Sequence, residues 1–157
     1  MHTGIGCLQP QRDLVRYFRR NATEAACMGI TSVQDMQASI ADTTNGKPLF
    51  VDMFATWCGY SKKMAPPVAA LAGTNGRSVT FKAVGLDMGS EQASIATANS
   101  IHSYPIFITY ACGHLCQKIT GANLPAVQAA VDYLSRVTCS NGQKPSGCDQ
   151  SIGDVSY

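Results

Sequence analysis

From residue 10 to residue 26 apolar positions recur at helical spacing, with Leu14, Phe18, Ala22 and Ala25 on one side of a helical wheel and Arg12, Arg16, Arg19 and Arg20 opposite. The pattern predicts a basic amphipathic helix docked on the main domain with its arginines in water. A membrane-surface or targeting element is the other use of such a helix, and Asp13 and Glu24 count against a transit peptide. After Met28 the periodicity changes to alternating strands and helices. Ser32, followed by Asp35, resembles a capping box opening a helix with Val33, Met36 and Ile40 on its apolar stripe, and Thr43 to Gly46 ends it. Pro48 to Ala55 is short and densely apolar, as a strand buried on both faces requires. A helix follows over about 61–71, interrupted by Pro66-Pro67, then a strand over 79–86 and a polar helix over 91–99. Strands over 106–110 and 115–120 flank the turn Ala111 to His114, and Asn123 with Pro125 opens a last helix bearing Leu124, Val127, Val131 and Leu134 on one face.

The order from Met28 onward is β-α-β-α-β-α-β-β-α, which implies an α/β fold: a central mixed sheet covered by helices on both faces. Three regions result: an N-terminal extension over 1–27, the domain over 28–138, and an irregular tail rich in Ser, Gly and Asp over 139–157. Composition narrows the picture. A chain of 157 residues with 45% hydrophobic side chains fills one core, and 14% charged residues with net charge +2 provides no basic block for nucleic acid. No apolar run approaches the ~18 residues of a membrane span, so no transmembrane segment is expected, and the first residues lack the layout of a secretory signal. Seven cysteines and an Asn21-Ala22-Thr23 glycosylation pattern lean toward an oxidising compartment, although the missing signal leans the other way.

Open α/β sheets carry their chemistry at the carboxyl ends of strands, where helix N-termini open, and Cys58 occupies that place. Unpaired backbone N–H groups and the positive end of the helix dipole both favour thiolate over thiol there, and the thiolate is the attacking species in disulfide exchange. The surrounding run, Phe50-Val51-Asp52-Met53-Phe54-Ala55-Thr56-Trp57-Cys58-Gly59-Tyr60-Ser61-Lys62-Lys63-Met64-Ala65-Pro66, resembles the active-site segment of the thioredoxin family. Tyr104-Pro105 looks like that family's cis-proline loop, and Gly121 resembles the glycine before its last helix. The resemblance spans about Met28 to Val137 and implies a thioredoxin-like fold.

It also implies roles. Cys58 is the solvent-reachable nucleophile, Trp57 a flat wall beside it, and Asp52 a buried carboxylate of raised pKa that exchanges protons through water. Gly59 and Tyr60 border the thiol. Pro105 in the cis form presents the backbone of Tyr104 to an extended substrate, and Leu86, Tyr104, Gly121 and Ala122 complete an apolar groove. Two departures matter. The family often has a lysine near the buried aspartate; the strand register puts Ala83 there, with Lys82 facing away. Ser61 stands where the second, resolving cysteine is expected, and its oxygen cannot break a mixed disulfide. Ser61 can still donate a hydrogen bond to a Cys58 thiolate.

The resemblance thus implies a thiol-disulfide oxidoreductase acting through one thiol, with isomerase or deglutathionylating character. Its partners are protein disulfides or glutathionylated cysteines, with an external thiol such as glutathione for release, and it needs no cofactor. Two other readings stay open: a dithiol enzyme whose second cysteine was exchanged for serine in the laboratory, and a redox-inactive peptide-binding or chaperone module using the groove. Strand directions put Cys112 and Cys116 on the order of 15 Å from Cys58, and a helix running roughly 20 Å carries Cys139 away as well. Cys27, Cys112, Cys116 and Cys139 are therefore expected together at the far pole, forming one or two structural disulfides that tie both chain ends to the domain. Only Cys7 and Cys148 have the freedom to return to Cys58. A zinc site at Cys112-Gly-His114-Leu-Cys116 lacks an evident fourth ligand, so no metal is expected.

Overall fold

The computed structural model describes residues 29–148. The elements are α1 (Val33–Asp42), β1 (Leu49–Phe54), α2 (Gly59–Asn75), β2 (Thr80–Gly85), α3 (Ser90–Ala98), β3 (Ile106–Ala111), β4 (His114–Thr120) and α4 (Leu124–Arg136). The sheet order is β2-β1-β3-β4, with β2 parallel to β1 and the other two pairs antiparallel. This is the thioredoxin-like architecture expected, a mixed sheet between helices. The strand expected ahead of α1 appears among the described residues only as a bridge from Gly29 to Ala83, reinforced by the Ile30 N–H on the Ala83 carbonyl at 3.0 Å. The amphipathic segment 10–26, Cys7 and Cys27 lie outside the described residues.

Strand alternation sorts the core into two layers. Phe50, Phe54, Phe81 and Phe107 face α2 and α4, where Met64, Val68, Val127 and Leu134 complete one cluster. Leu49, Val51, Met53 and Ile108 face the other side, against Met36 of α1 and Ile95 of α3. All six residues of β1 are buried, as befits a strand with neighbours on both edges and helices on both faces.

The helix ends show local chemistry at work. Ser32 Oγ accepts the Asp35 N–H at 3.0 Å, but the Asp35 carboxylate reaches past Ser32 to the N–H and hydroxyl of Thr31, at 3.1 and 2.6 Å. The capping box is thus displaced by one residue in its return arm. Those Thr31 hydrogen bonds hold the Asp35 carboxyl below its usual pKa. Asn123 caps α4 by accepting from the Ala126 N–H at 3.1 Å.

Helix α2 corrects an expectation. It runs unbroken from Gly59 to Asn75 through Pro66 and Pro67. Both prolines are half-exposed, and Lys62 and Lys63, whose carbonyls lose their intrahelical donors, are on the exposed side. Water can satisfy those carbonyls, while the buried stripe of Met64, Ala65, Val68, Ala69 and Ala72 holds the helix on the sheet.

At the pole away from the start of α2, Cys112 is bonded to Cys139 and Cys116 to Cys148. Cys148, which by sequence had the freedom to approach Cys58, is therefore engaged with the hairpin. Cys112 and Cys116, both oxidised, offer no thiolate ligands, so the Cys-Gly-His-Leu-Cys run does not hold a metal in this form. Residues 139–148 form neither helix nor strand, yet they are held: the Gly147 N–H donates to the Tyr133 hydroxyl at 3.1 Å, and Gly147 leaves no room for a Cβ against that ring.

The Phe50 ring packs between Phe81 and Phe107, with centroids 5.2 and 5.6 Å away. Phe50→Ala is expected to lower the unfolding free energy by about 3–5 kcal/mol, because so enclosed a site cannot collapse around the void. Urea unfolding checks this, and a loss below about 1 kcal/mol would mean the surrounding rings refill the space.

Candidate active site

Strand pairing assembles the site. Met53 near the end of β1 pairs with Ile106 at the start of β3, so the loop leaving β1 meets the loop entering β3. The first loop carries Trp57 and Cys58, the second Tyr104 and Pro105, joined by a cis peptide bond. Cys58 Sγ lies 3.6 Å from the Tyr104 carbonyl oxygen, and the Trp57 ring meets Tyr104 edge-on with centroids 5.6 Å apart. Gly121 donates its N–H to the Pro105 carbonyl at 2.8 Å and holds a φ of 84°, a conformation that glycine adopts without strain.

Cys58 is the N-cap of α2 and makes no side-chain capping bond, and no acidic residue lies in the first turn. The sulfur therefore stands at the positive end of α2, with no carboxylate in its first turn. Cys58 was expected to be solvent-reachable; it is 7% exposed, so its approach is narrow. Trp57 and Tyr60 beside it are 67% and 65% exposed, the large apolar side chains that the described surface leaves open. Gly59 adds no bulk: a Cβ there would meet nothing within 4 Å.

Ser61 lies one turn in, 2% exposed, with its Oγ accepting the Ala55 N–H at 3.4 Å. Its recorded partner is thus the backbone ahead of the thiol, not the sulfur. Asp52 is 3% exposed, its Oδ1 has no hydrogen-bond partner among the described residues, and burial pushes its pKa up to about 7. The register pairs it with Ala83, while Lys82 on the other face donates to Ser39 Oγ at 2.9 Å. No cation compensates the carboxylate through that strand.

Of the residues expected to line a groove, Tyr104, Gly121 and Ala122 are at the surface beside Pro105. Leu86 is not: it is 3% exposed, within the core cluster that includes Ile95 and Ile101. Its N–H pairs with the Phe54 carbonyl at 2.8 Å, which extends the sheet by a residue and turns the side chain inward.

Asp87 escaped the sequence reading. Its carboxylate accepts from the Thr56 N–H at 3.1 Å through either oxygen and from the Thr56 hydroxyl at 2.6 Å, fastening the loop just ahead of Trp57 and Cys58. The signal was available: in a parallel pair with Phe54 opposite Gly85, residues just beyond each strand end are neighbours.

Fold and site together define an α/β protein with a cysteine at a helix mouth beside a cis-proline loop. The thioredoxin family model matches residues 29–132, and the chain belongs to that family. Thioredoxin-1 of Schizosaccharomyces pombe is 32% identical over 102 residues, which cover 65% of this chain and 95% of the relative. Thioredoxin-2 of Pyricularia oryzae is 28% identical over 116 residues, 74% of this chain and 64% of that longer relative. Among solved structures, mitochondrial thioredoxin 3 from Saccharomyces cerevisiae superposes with a TM-score of 0.61 at 25% identity, covering 74% of this chain and 98% of that one. These homologues support thiol-disulfide oxidoreductase activity.

Asp52 makes stability depend on pH. Its folded pKa of about 7 exceeds the unfolded carboxylate value, so between about pH 4 and 7 the folded state binds the extra proton and stability falls as pH rises. Above about pH 7 both states are ionised and the loss is complete. Asp52→Asn is therefore expected to be more stable than the parent at pH 8, by up to about 4 kcal/mol, with the difference vanishing near pH 4. Denaturant midpoints of both proteins across that range test it; a pH-independent difference would contradict the burial argument.

Proposed function

We propose that this chain is a thiol-disulfide oxidoreductase that works through Cys58 alone. The Cys58 thiolate attacks one sulfur of an exposed disulfide, the sulfur–sulfur bond breaks, and the second sulfur leaves as a thiolate that takes up a proton. A protein–glutathione disulfide is the substrate class that fits one thiol best. Cys58 takes the glutathionyl sulfur, the protein thiol departs, and a second glutathione attacks the captured sulfur to leave oxidised glutathione and a free Cys58. Ordinary protein disulfides are handled by isomerisation, in which the released substrate thiolate attacks elsewhere, rather than by efficient net reduction.

The observation that carries this reading is the place of Cys58 at the N-terminus of α2 against the cis Tyr104–Pro105 loop, with serine and not a second thiol at position 61. The other cysteines of the described residues, 112, 116, 139 and 148, are held in disulfides at the opposite pole, which supports release by an outside thiol. Asp52, Trp57, Gly59, Tyr60, Tyr104, Pro105, Gly121 and Ala122 form the surroundings in which a substrate strand is bound and protons are exchanged. Two disulfides fit a setting where thiols are oxidised.

Incubation with oxidised glutathione and peptide mass mapping is expected to show a glutathione adduct on Cys58 of the parent chain that is absent from Cys58→Ala. In an insulin-reduction assay, Ser61→Cys is expected to exceed the parent at least about tenfold, because an intramolecular thiol replaces a bimolecular release step. Strong turnover by the serine form would refute the need for outside release. Undiminished peptide binding by Cys58→Ala, with no adduct in the parent, would instead identify a binding module that retains the exposed Trp57 and Tyr60.

A further inference from the structure

The two disulfides of the far pole differ in a way that governs their chemistry. Cys116 and Cys148 are both sealed, 0% and 5% exposed, within the cluster beneath α2 and α4. Cys112 is buried as deeply, at 1%, but its partner Cys139 is exposed and lines an open groove of about 600 Å³. The loop Asn45–Pro48 forms one wall of that groove, and Ser135, Val137 and Thr138 at the end of α4 form another. Among the described residues Lys47 is the one charged side chain that lines it, with its ammonium donating to the Gly76 carbonyl at 2.9 Å. Access decides which disulfide exchanges and which sulfur is attacked, and a nearby cation favours the thiolate that attacks.

We propose that the Cys112–Cys139 disulfide is a second thiol-exchange site, served by a small thiol of the glutathione class entering this groove, while Cys116–Cys148 is a permanent cross-link. The incoming thiolate bonds to Cys139 Sγ, and the Cys112 sulfur is displaced inward as a thiolate that takes a proton. A second small thiolate then attacks the small-thiol sulfur of the mixed disulfide, freeing Cys139 as a thiol and releasing the oxidised small disulfide. Two small thiols lose their protons and one electron pair, and both arrive on Cys112 and Cys139. Because the leaving sulfur is buried beside the mixed disulfide, it re-attacks unless a second thiol arrives, so opening rises faster than linearly with thiol concentration. Opening frees the wall Val137–Cys139, whereas the segment after it stays tethered through Cys148 and the Gly147–Tyr133 hydrogen bond.

This site is independent of the reading given to Cys58, and the test removes that thiol. The full chain carrying Cys58→Ala is incubated with graded reduced glutathione, quenched with an alkylating reagent and mapped by peptide mass. Labelling of Cys112 and Cys139 is expected to exceed that of Cys116 and Cys148 at least about tenfold, with the glutathione adduct on Cys139. Thr138→Trp, which narrows the groove, is expected to slow opening of this bond several-fold and leave the other unaffected. Parallel reduction of both disulfides, an adduct on Cys112 in place of Cys139, an unchanged rate in Thr138→Trp, or a bond that opens only when denaturant unfolds the chain would each overturn the proposal.

Discussion

The antiparallel pairing of β1 with β3 is the constraint on which both ends of the molecule depend. It runs from Leu49 opposite Tyr110 to Met53 opposite Ile106. At one end it delivers the exit of β1 to the entrance of β3, which brings a cysteine and a proline separated by 47 positions in sequence into one site. At the other it delivers the hairpin turn after β3 to the loop after α1, where the Gly113 N–H donates to Thr43 Oγ1 at 2.9 Å. A register slip of one residue would turn Asp52 out of its layer and Leu49, Val51 and Met53 into the other, so hydrophobic burial on both faces enforces the pairing.

Within that frame the site combines a well-supported backbone with one poorly supported charge. Asp87 fastens Thr56, Gly121 fastens Pro105, and Ser61 supports Ala55, so the loops that flank Cys58 have little freedom. Asp52 has no such support among the described residues and sits with an orphaned oxygen in the apolar layer of α2 and α4. A carboxyl there is held near the middle of the physiological pH range by burial alone, which is the state in which a group can both accept and return a proton. Ala83 opposite the carboxylate and Ser61 in the first turn of α2 are the two places where this chain departs from the pattern that its run around Cys58 resembles.

The two poles are redox environments of opposite kind. A single reduced thiol stands at the helix mouth, and two disulfides staple residues 139–148 to the hairpin at the other end. Loop closure by bonds spanning 27 and 32 residues restricts the unfolded chain, which offsets the small size of the hydrophobic contact that so polar a segment can make. Burial then divides the two bonds into one that water reaches and one that it does not.

Most of the architecture was legible in the chain because strand and helix periods, Gly121, Asn123 with Pro125, and the run around Cys58 are local patterns with local causes. Where reading failed, the deciding contact was remote. Pro66 and Pro67 looked like a break because local propensity cannot register the buried stripe that holds α2 against the sheet. Leu86 looked like a groove wall until its N–H joined Phe54, and Asp87 passed unnoticed because its partner Thr56 is 31 positions away. The seven cysteines and the absence of one from position 61 were set by sequence alone. Which of them bond, and that Cys139 faces water while Cys112 does not, was decided only when packing chose which side chains the sheet would cover.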